Sequence, residues 1–177
     1  MEAFFNIRQS LTDRGTAILA SLMLLSSTLI LVGAIAAGTA TTTMPVSMTI
    51  TAGCTVTATS VAFGTQSTLD AAMPATGTLG VTCTNTTPYT VSLDAGAGTS
   101  ATTTLRTMVG PAAATLTYGL YRDAAFTLNF GNTIGTDTAA GTGSGVSQPI
   151  TVFGRVPAQA SPAPGSYADT VNVTITF

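Results

Sequence analysis

A strict two-residue alternation, present at both ends of the region beyond residue 40, constrains this chain more than any other feature. In Met44-Pro45-Val46-Ser47-Met48-Thr49-Ile50-Thr51, every second residue is large and apolar and its neighbours are Pro, Ser or Thr. The same comb returns in Val171-Asn172-Val173-Thr174-Ile175-Thr176-Phe177. Successive side chains of a strand point to opposite faces, so each segment presents one wholly apolar face as a strand and none as a helix. Each comb needs something to cover it.

Between the two combs no helical period recurs. Apolar residues alternate with Thr and Ser, which suit a pleated surface. The pattern predicts strands over Val46–Thr57, Gly77–Thr84, Tyr89–Asp94, Ala114–Arg122, Gln148–Val156 and Tyr167–Phe177, with a weaker one over Thr104–Val109. Turn-rich stretches at Ala95–Ser100 and Thr136–Gly145 separate them. The second, built of Gly, Thr and Ala, reads as a flexible surface loop. Short strands at this spacing predict an all-β sandwich or barrel.

Composition removes several functions. Only 7% of the 177 residues are charged, the formal charge is -2, and Lys and His are absent. Nucleic acid requires clustered cations, and beyond residue 40 only Arg106, Arg122 and Arg155 remain, far apart. No nucleic-acid partner is therefore expected. Without His there is no imidazole base for Ser-His-Asp or Cys-His chemistry, and two cysteines are too few for a usual zinc site. No catalytic residue, metal site or cofactor is predicted. The acids beyond residue 40 are Asp70, Asp94, Asp123, Asp137 and Asp169; a paired-carboxylate glycosidase is the alternative they leave open, while Asp123 and Asp169 read as turn-binding groups or partners of Arg122 or Arg155.

Residues 1–40 have the three parts of a secretory signal peptide. Arg8 and Arg14 lie near the start, an apolar run covers Thr16–Ala37, and small residues close it up to Ala40. Cleavage is expected after Ala40, with Ala36 as second choice. The run is also long enough to serve as an uncleaved anchor. In an exported chain, Cys54 and Cys83 read as one disulfide, while in the cytosol they read as two buried thiols. Cross-linking a loop of about 30 residues stabilises by roughly 3.5 kcal/mol on the chain-entropy account.

The comb at Val171–Phe177 ends the chain without a following strand to cover it. A strand edge left open in this way invites another chain, and the comb at Met44–Ile50 is a suitable guest. Burying its four large side chains is worth about 6 to 12 kcal/mol as an upper bound. The simpler reading makes Met44–Ile50 the first strand of its own closed sandwich.

Several further segments carry a resemblance. In order they are Ala52-Gly53-Cys54-Thr55-Val56, Phe63-Gly64, Gly77-Thr78-Leu79-Gly80-Val81-Thr82-Cys83-Thr84 and Pro88-Tyr89-Thr90-Val91-Ser92-Leu93-Asp94-Ala95-Gly96. Then come Leu116-Thr117-Tyr118-Gly119-Leu120-Tyr121-Arg122-Asp123, Phe130-Gly131, Val152-Phe153-Gly154-Arg155-Val156-Pro157 and the run Gly165–Phe177. By their order and spacing the chain resembles the spore coat protein U-like family, which includes Csu-type pilins of archaic chaperone–usher pili. It departs at Phe130, where many relatives carry Trp. The resemblance implies an incomplete immunoglobulin-like β-sandwich that lacks its last strand and is completed by donor-strand exchange. It makes 52–177 the pilin domain and 41–51 the donor strand, with Met44, Val46, Met48 and Ile50 as donor residues. Val171, Val173, Ile175 and Phe177 line the acceptor groove, and Cys54 and Cys83 match the family's disulfide positions. It further implies export through the periplasm, a periplasmic chaperone, an outer-membrane usher, and a homopolymeric surface pilus serving adhesion and biofilm formation. A secreted coat component or an adhesive module without long fibres is the alternative.

Overall fold

The structure, a computed structural model, describes residues 37–177. The expected signal peptide therefore lies almost wholly outside the described residues. The chain divides into two units at Val46/Ser47. Of the first, residues 37–46 are described, and they form no helix or strand.

The second unit is a β-sandwich. Its strands are β1 (Cys54–Ala58), β2 (Met73–Cys83), β3 (Pro88–Leu93), β4 (Arg106–Val109), β5 (Thr115–Tyr121), β6 (Ala139–Thr142), β7 (Gln148–Val156) and β8 (Val173–Thr176). A single 3-10 turn, Pro111–Ala113, joins β4 to β5. One sheet has the order β1-β2-β7-β5-β4 and the other β6-β3-β8. All named pairs are antiparallel.

Alternation decides which face of each strand is buried. Leu79, Val81 and Cys83 of β2, Val152 and Val156 of β7, and Leu120 of β5 point inward, opposite Tyr89, Val91 and Leu93 of β3. Phe130, the residue that departs from the family pattern, is fully buried among them. Val61 and Phe63, in the connection from β1 to β2, lie against the bare backbones of Gly77 and Gly154. Phe63 meets Tyr118 edge to face, with ring centres 6.3 Å apart.

Three expected boundaries are corrected. The strand expected over Val46–Thr57 begins only at Cys54, because Cys54 faces Cys83, the last residue of β2. Beyond that point the chain turns toward β3, and β2 offers no further backbone for residues before Gly53 to pair with. The strand expected over Tyr167–Phe177 is shortened to Val173–Thr176, because Ala168 bridges to Val109 of the other sheet before the chain crosses to β3. The loop expected over Thr136–Gly145 contains a strand, β6, paired with β3. Its small residues are needed there: a Cβ on Gly141 would strike the Tyr89 ring, and one on Gly143 would strike the backbone of Thr84.

Candidate functional site

β8 lies at the edge of its sheet and, among the described residues, pairs with β3 alone. Val173 and Ile175, with Val171 just before them, are half-buried against the core, while Thr174 and Thr176 are exposed. Phe177 falls outside the strand and is 57% exposed. β8 thus has one satisfied edge, one open edge and an apolar face only partly covered.

Two carboxylates fasten the base of this strand. Asn172 donates to Asp94 from its backbone N–H (2.9 Å) and its side-chain amide (2.6 Å), and the Asp94 N–H donates back to the Asn172 carbonyl (3.1 Å). Asp169 accepts from the Tyr118 hydroxyl at 2.6 Å and from the Ala97 N–H at 2.7 Å. Burial and the bond to Asp169 push the Tyr118 hydroxyl pKa well up. Burial also pushes the Asp94 carboxyl up, but hydrogen bonds from Asn172 and Gly96 and the charge of Arg106 outweigh it and hold Asp94 below its ordinary value.

Arg106 sits beneath both, fully buried. Its guanidinium donates to the carbonyls of Asp94 (2.9 Å), Thr103 (2.7 Å), Leu93 (3.2 Å) and Phe130 (2.8 Å). It therefore ties the end of β3 to the loop before β4 and to the core aromatic. Burial lowers its pKa, against the opposing pull of Tyr118, Asp94 and Asp169. Sequence reading passed over this residue, since one Arg in a Thr-rich run reads as an exposed charge. The available signal was its two-residue spacing from Met108, which puts both on the inward face.

A groove of about 950 Å³ opens where β2 begins and β7 ends, lined by Val61, Phe63, Leu69, Met73, Met108 and Leu116 among others. The four expected donor residues are all exposed: Met44 by 84%, Val46 by 90%, Met48 by 87% and Ile50 by 73%. Backbone contact with β2 and its turn resumes only at Thr51 and Gly53, whose carbonyls accept from Thr84. Cys54 and Cys83 are joined by a disulfide that closes β1 onto the end of β2. Asp123 and Asp169 bind turns and a tyrosine rather than arginine: Asp123 accepts from Thr127 and Leu128. Arg122 instead donates to the carbonyls of Asn129, Thr138 and Thr136.

The chain is similar to known proteins. The chain is 38% identical over 107 residues to Protein U of Myxococcus xanthus, a match covering 58% of this chain and 59% of that relative. Among solved structures it is similar to a CsuC–CsuE chaperone–tip adhesion subunit pre-assembly complex from the archaic chaperone-usher Csu pili of Acinetobacter baumannii. That likeness has a TM-score of 0.56 at 22% identity and covers 73% of this chain and 41% of the other, which establishes a shared fold. The Spore Coat Protein U domain profile matches residues 40–174, three quarters of the chain, and the protein belongs to that family.

Proposed function

We propose that this chain is a structural subunit that polymerises into a surface pilus by donor-strand exchange. The observation that carries the reading is the pairing of an open edge with a spare comb. Among the described residues, β8 has a free edge and a half-covered apolar face, while Met44, Val46, Met48 and Ile50 stand exposed in a segment with no strand partner. Four residues at two-residue spacing extend about 20 Å in a strand. The Val171–Phe177 comb has the same repeat and length. Strand addition supplies backbone hydrogen bonds along the edge and side-chain burial beneath it, a mode in which pilin complementation is itself a standard case.

The donor segment reaches a neighbour only after residues 1–40 are removed as a signal peptide. Export through the periplasm, capture by a chaperone and assembly at an outer-membrane usher follow from this reading. The chaperone is supported by the solved relative, which is a chaperone–subunit complex. The product is a homopolymer on the cell surface, serving adhesion and biofilm formation. Nothing in the reading calls for catalysis. The likeness to Protein U favours one second reading, a coat component that docks through the same edge without long fibres.

The test is deletion of residues 44–50 from the exported protein. Wild type gives a ladder of heat-sensitive multimers, and the deletion gives monomer that captures an added peptide of residues 41–52. Multimers that survive the deletion overturn the proposal. N-terminal sequencing of the exported protein is expected to begin at Thr41.

A further inference from the structure

A second site stands on the outer face of the larger sheet. β5 and β7 pair in register there, Gly119 opposite Arg155 and Tyr121 opposite Phe153. Leu120, Val152 and Val156 belong to the core, so by alternation these four residues lie on the outer face, Gly119 covered there by the Tyr121 ring. Gly119 has no side chain to place against Arg155, and the Tyr121 ring folds into that space. A Cβ on Gly119 would lie 2.6 Å from the Tyr121 hydroxyl. What remains open is a pocket of about 210 Å³ whose lining includes Leu105, Gly119, Tyr121, Arg155 and Pro157 and reaches the edge of the core at Tyr118.

Two of its lining residues, Tyr121 and Arg155, are held from the side by Phe126, which does not itself line the pocket. Phe126 takes a left-handed backbone conformation, φ 57°, which bulky L residues rarely adopt. The Asp123 carboxylate holds that turn through the N–H groups of Thr127 and Leu128 and the Thr127 hydroxyl. The Phe126 ring then meets Tyr121 edge to face, centres 5.6 Å apart, and lies 5.5 Å from the Arg155 guanidinium carbon. Strain of this kind is kept where the surroundings over-determine it, which happens disproportionately at ligand sites.

Arg155 lies over the Phe126 ring, but its hydrogen-bond donors are unused. Arg106 and Arg122 give their guanidinium hydrogens to backbone carbonyls. Among the described residues, Arg155 donates no hydrogen bond, and the Tyr121 hydroxyl has no partner either. Asp123, the nearest carboxylate in the turn, is already occupied. Two free polar groups therefore converge on a small hollow walled by aromatic and aliphatic surface. A guanidinium grips a carboxylate through two parallel hydrogen bonds. An aromatic wall accepts the C–H face of a sugar ring, and a volume near 200 Å³ suits one such ring and little more.

We propose that this pocket binds one carboxylate-bearing sugar residue, a hexuronate of an acidic polysaccharide. Arg155 holds the carboxylate, Tyr121 offers its hydroxyl to a ring oxygen, and Leu105 and Pro157 cover the apolar edge. The site is independent of strand exchange and lies on the opposite face of the sheet from the core that exchange completes.

The test is equilibrium dialysis or calorimetry of the full exported protein with trigalacturonate, using maltotriose as the neutral control. Saturable binding of trigalacturonate is expected, at least tenfold tighter than maltotriose and weakened by salt. Arg155→Gln is expected to lower affinity at least tenfold, and Arg155→Lys less. Tyr121→Phe keeps both rings and removes only the hydroxyl, and a severalfold loss is expected. No saturable binding of trigalacturonate, equal binding of maltotriose, or an Arg155→Gln protein that melts like wild type and binds undiminished each overturns the proposal.

Discussion

Arg106 is a buried cation whose hydrogen-bond partners are carbonyls, not carboxylates. A buried charge is tolerated when its donors are satisfied, and here four backbone acceptors from three segments do so. Arg106→Ala leaves those acceptors orphaned within the core. Each such loss costs about 1–3 kcal/mol where water cannot enter; only the bonds to Leu93 and Phe130 are fully buried, so a total of about 2–6 kcal/mol is expected as a fall in urea midpoint at unchanged slope. Arg106→Lys restores the charge but not the planar fork, and recovers less than half. Tyr118 gives a second residue-scale expectation. Its pKa is raised in the fold above the ordinary value of 10.0. Its contribution is therefore whole below pH 10 and declines as pH rises toward the raised value. Tyr118→Phe abolishes that alkaline slope in a stability titration.

At the scale of elements, β8 depends on Asp94. The carboxyl is held below its ordinary value of 3.8. A depressed folded pKa contributes stability that is complete above the unfolded value and is lost as pH falls through the folded one. Protonation below about pH 4 is thus expected to release Asn172. Hydrogen exchange at Asn172 and through β8 accelerates there in the wild type, while Asp94→Asn lacks the transition. Gly154 sets the place of another segment: a Cβ there would press into Val61 and Phe63. Gly154→Ala forces that connection outward and is expected to cost about 1–3 kcal/mol in thermal melts.

The strands β2, β3, β5 and β7 were legible because Thr/Val alternation carries both their period and their inward face. β6 was not, since Ala and Gly offer no contrast to read, and its course is decided by the Tyr89 ring across the pair. Alternation also continued through residues 46–53 where pairing stopped. Period shows which face is apolar but not whether a partner strand is present. For the candidate site, Val171, Val173 and Ile175 could be placed on one face from spacing alone. Arg106, Asp94 and Asp169 could not, because the partners that bring them together, Asp94 for Arg106, Asn172 for Asp94 and Tyr118 for Asp169, are 12, 78 and 51 residues distant in sequence.

At the scale of the whole molecule, the sandwich is closed at β1 by a covalent bond and open at β8. Reduction of Cys54–Cys83, or the paired substitution to Ser, is expected to remove about 3 kcal/mol, read as a lower melting temperature under dithiothreitol. The two ends answer to different agents: reductant loosens β1, and acid loosens β8. A combined titration of both is expected to give near-additive losses, because the disulfide and the Asp94 clasp share no partner.

The cross-link has a further consequence when the chain is pulled. Tension arriving through residues 37–53 reaches Cys54 and passes through sulfur to Cys83, so β1, the connection after it and β2 carry no load along the chain. The segment between the two cysteines, a sequence separation of 29, stays out of the extended length. Each stretched copy is therefore shorter by about 100 Å than its residue count allows. Reductant restores that length, and a single-molecule force trace reads it as a longer step.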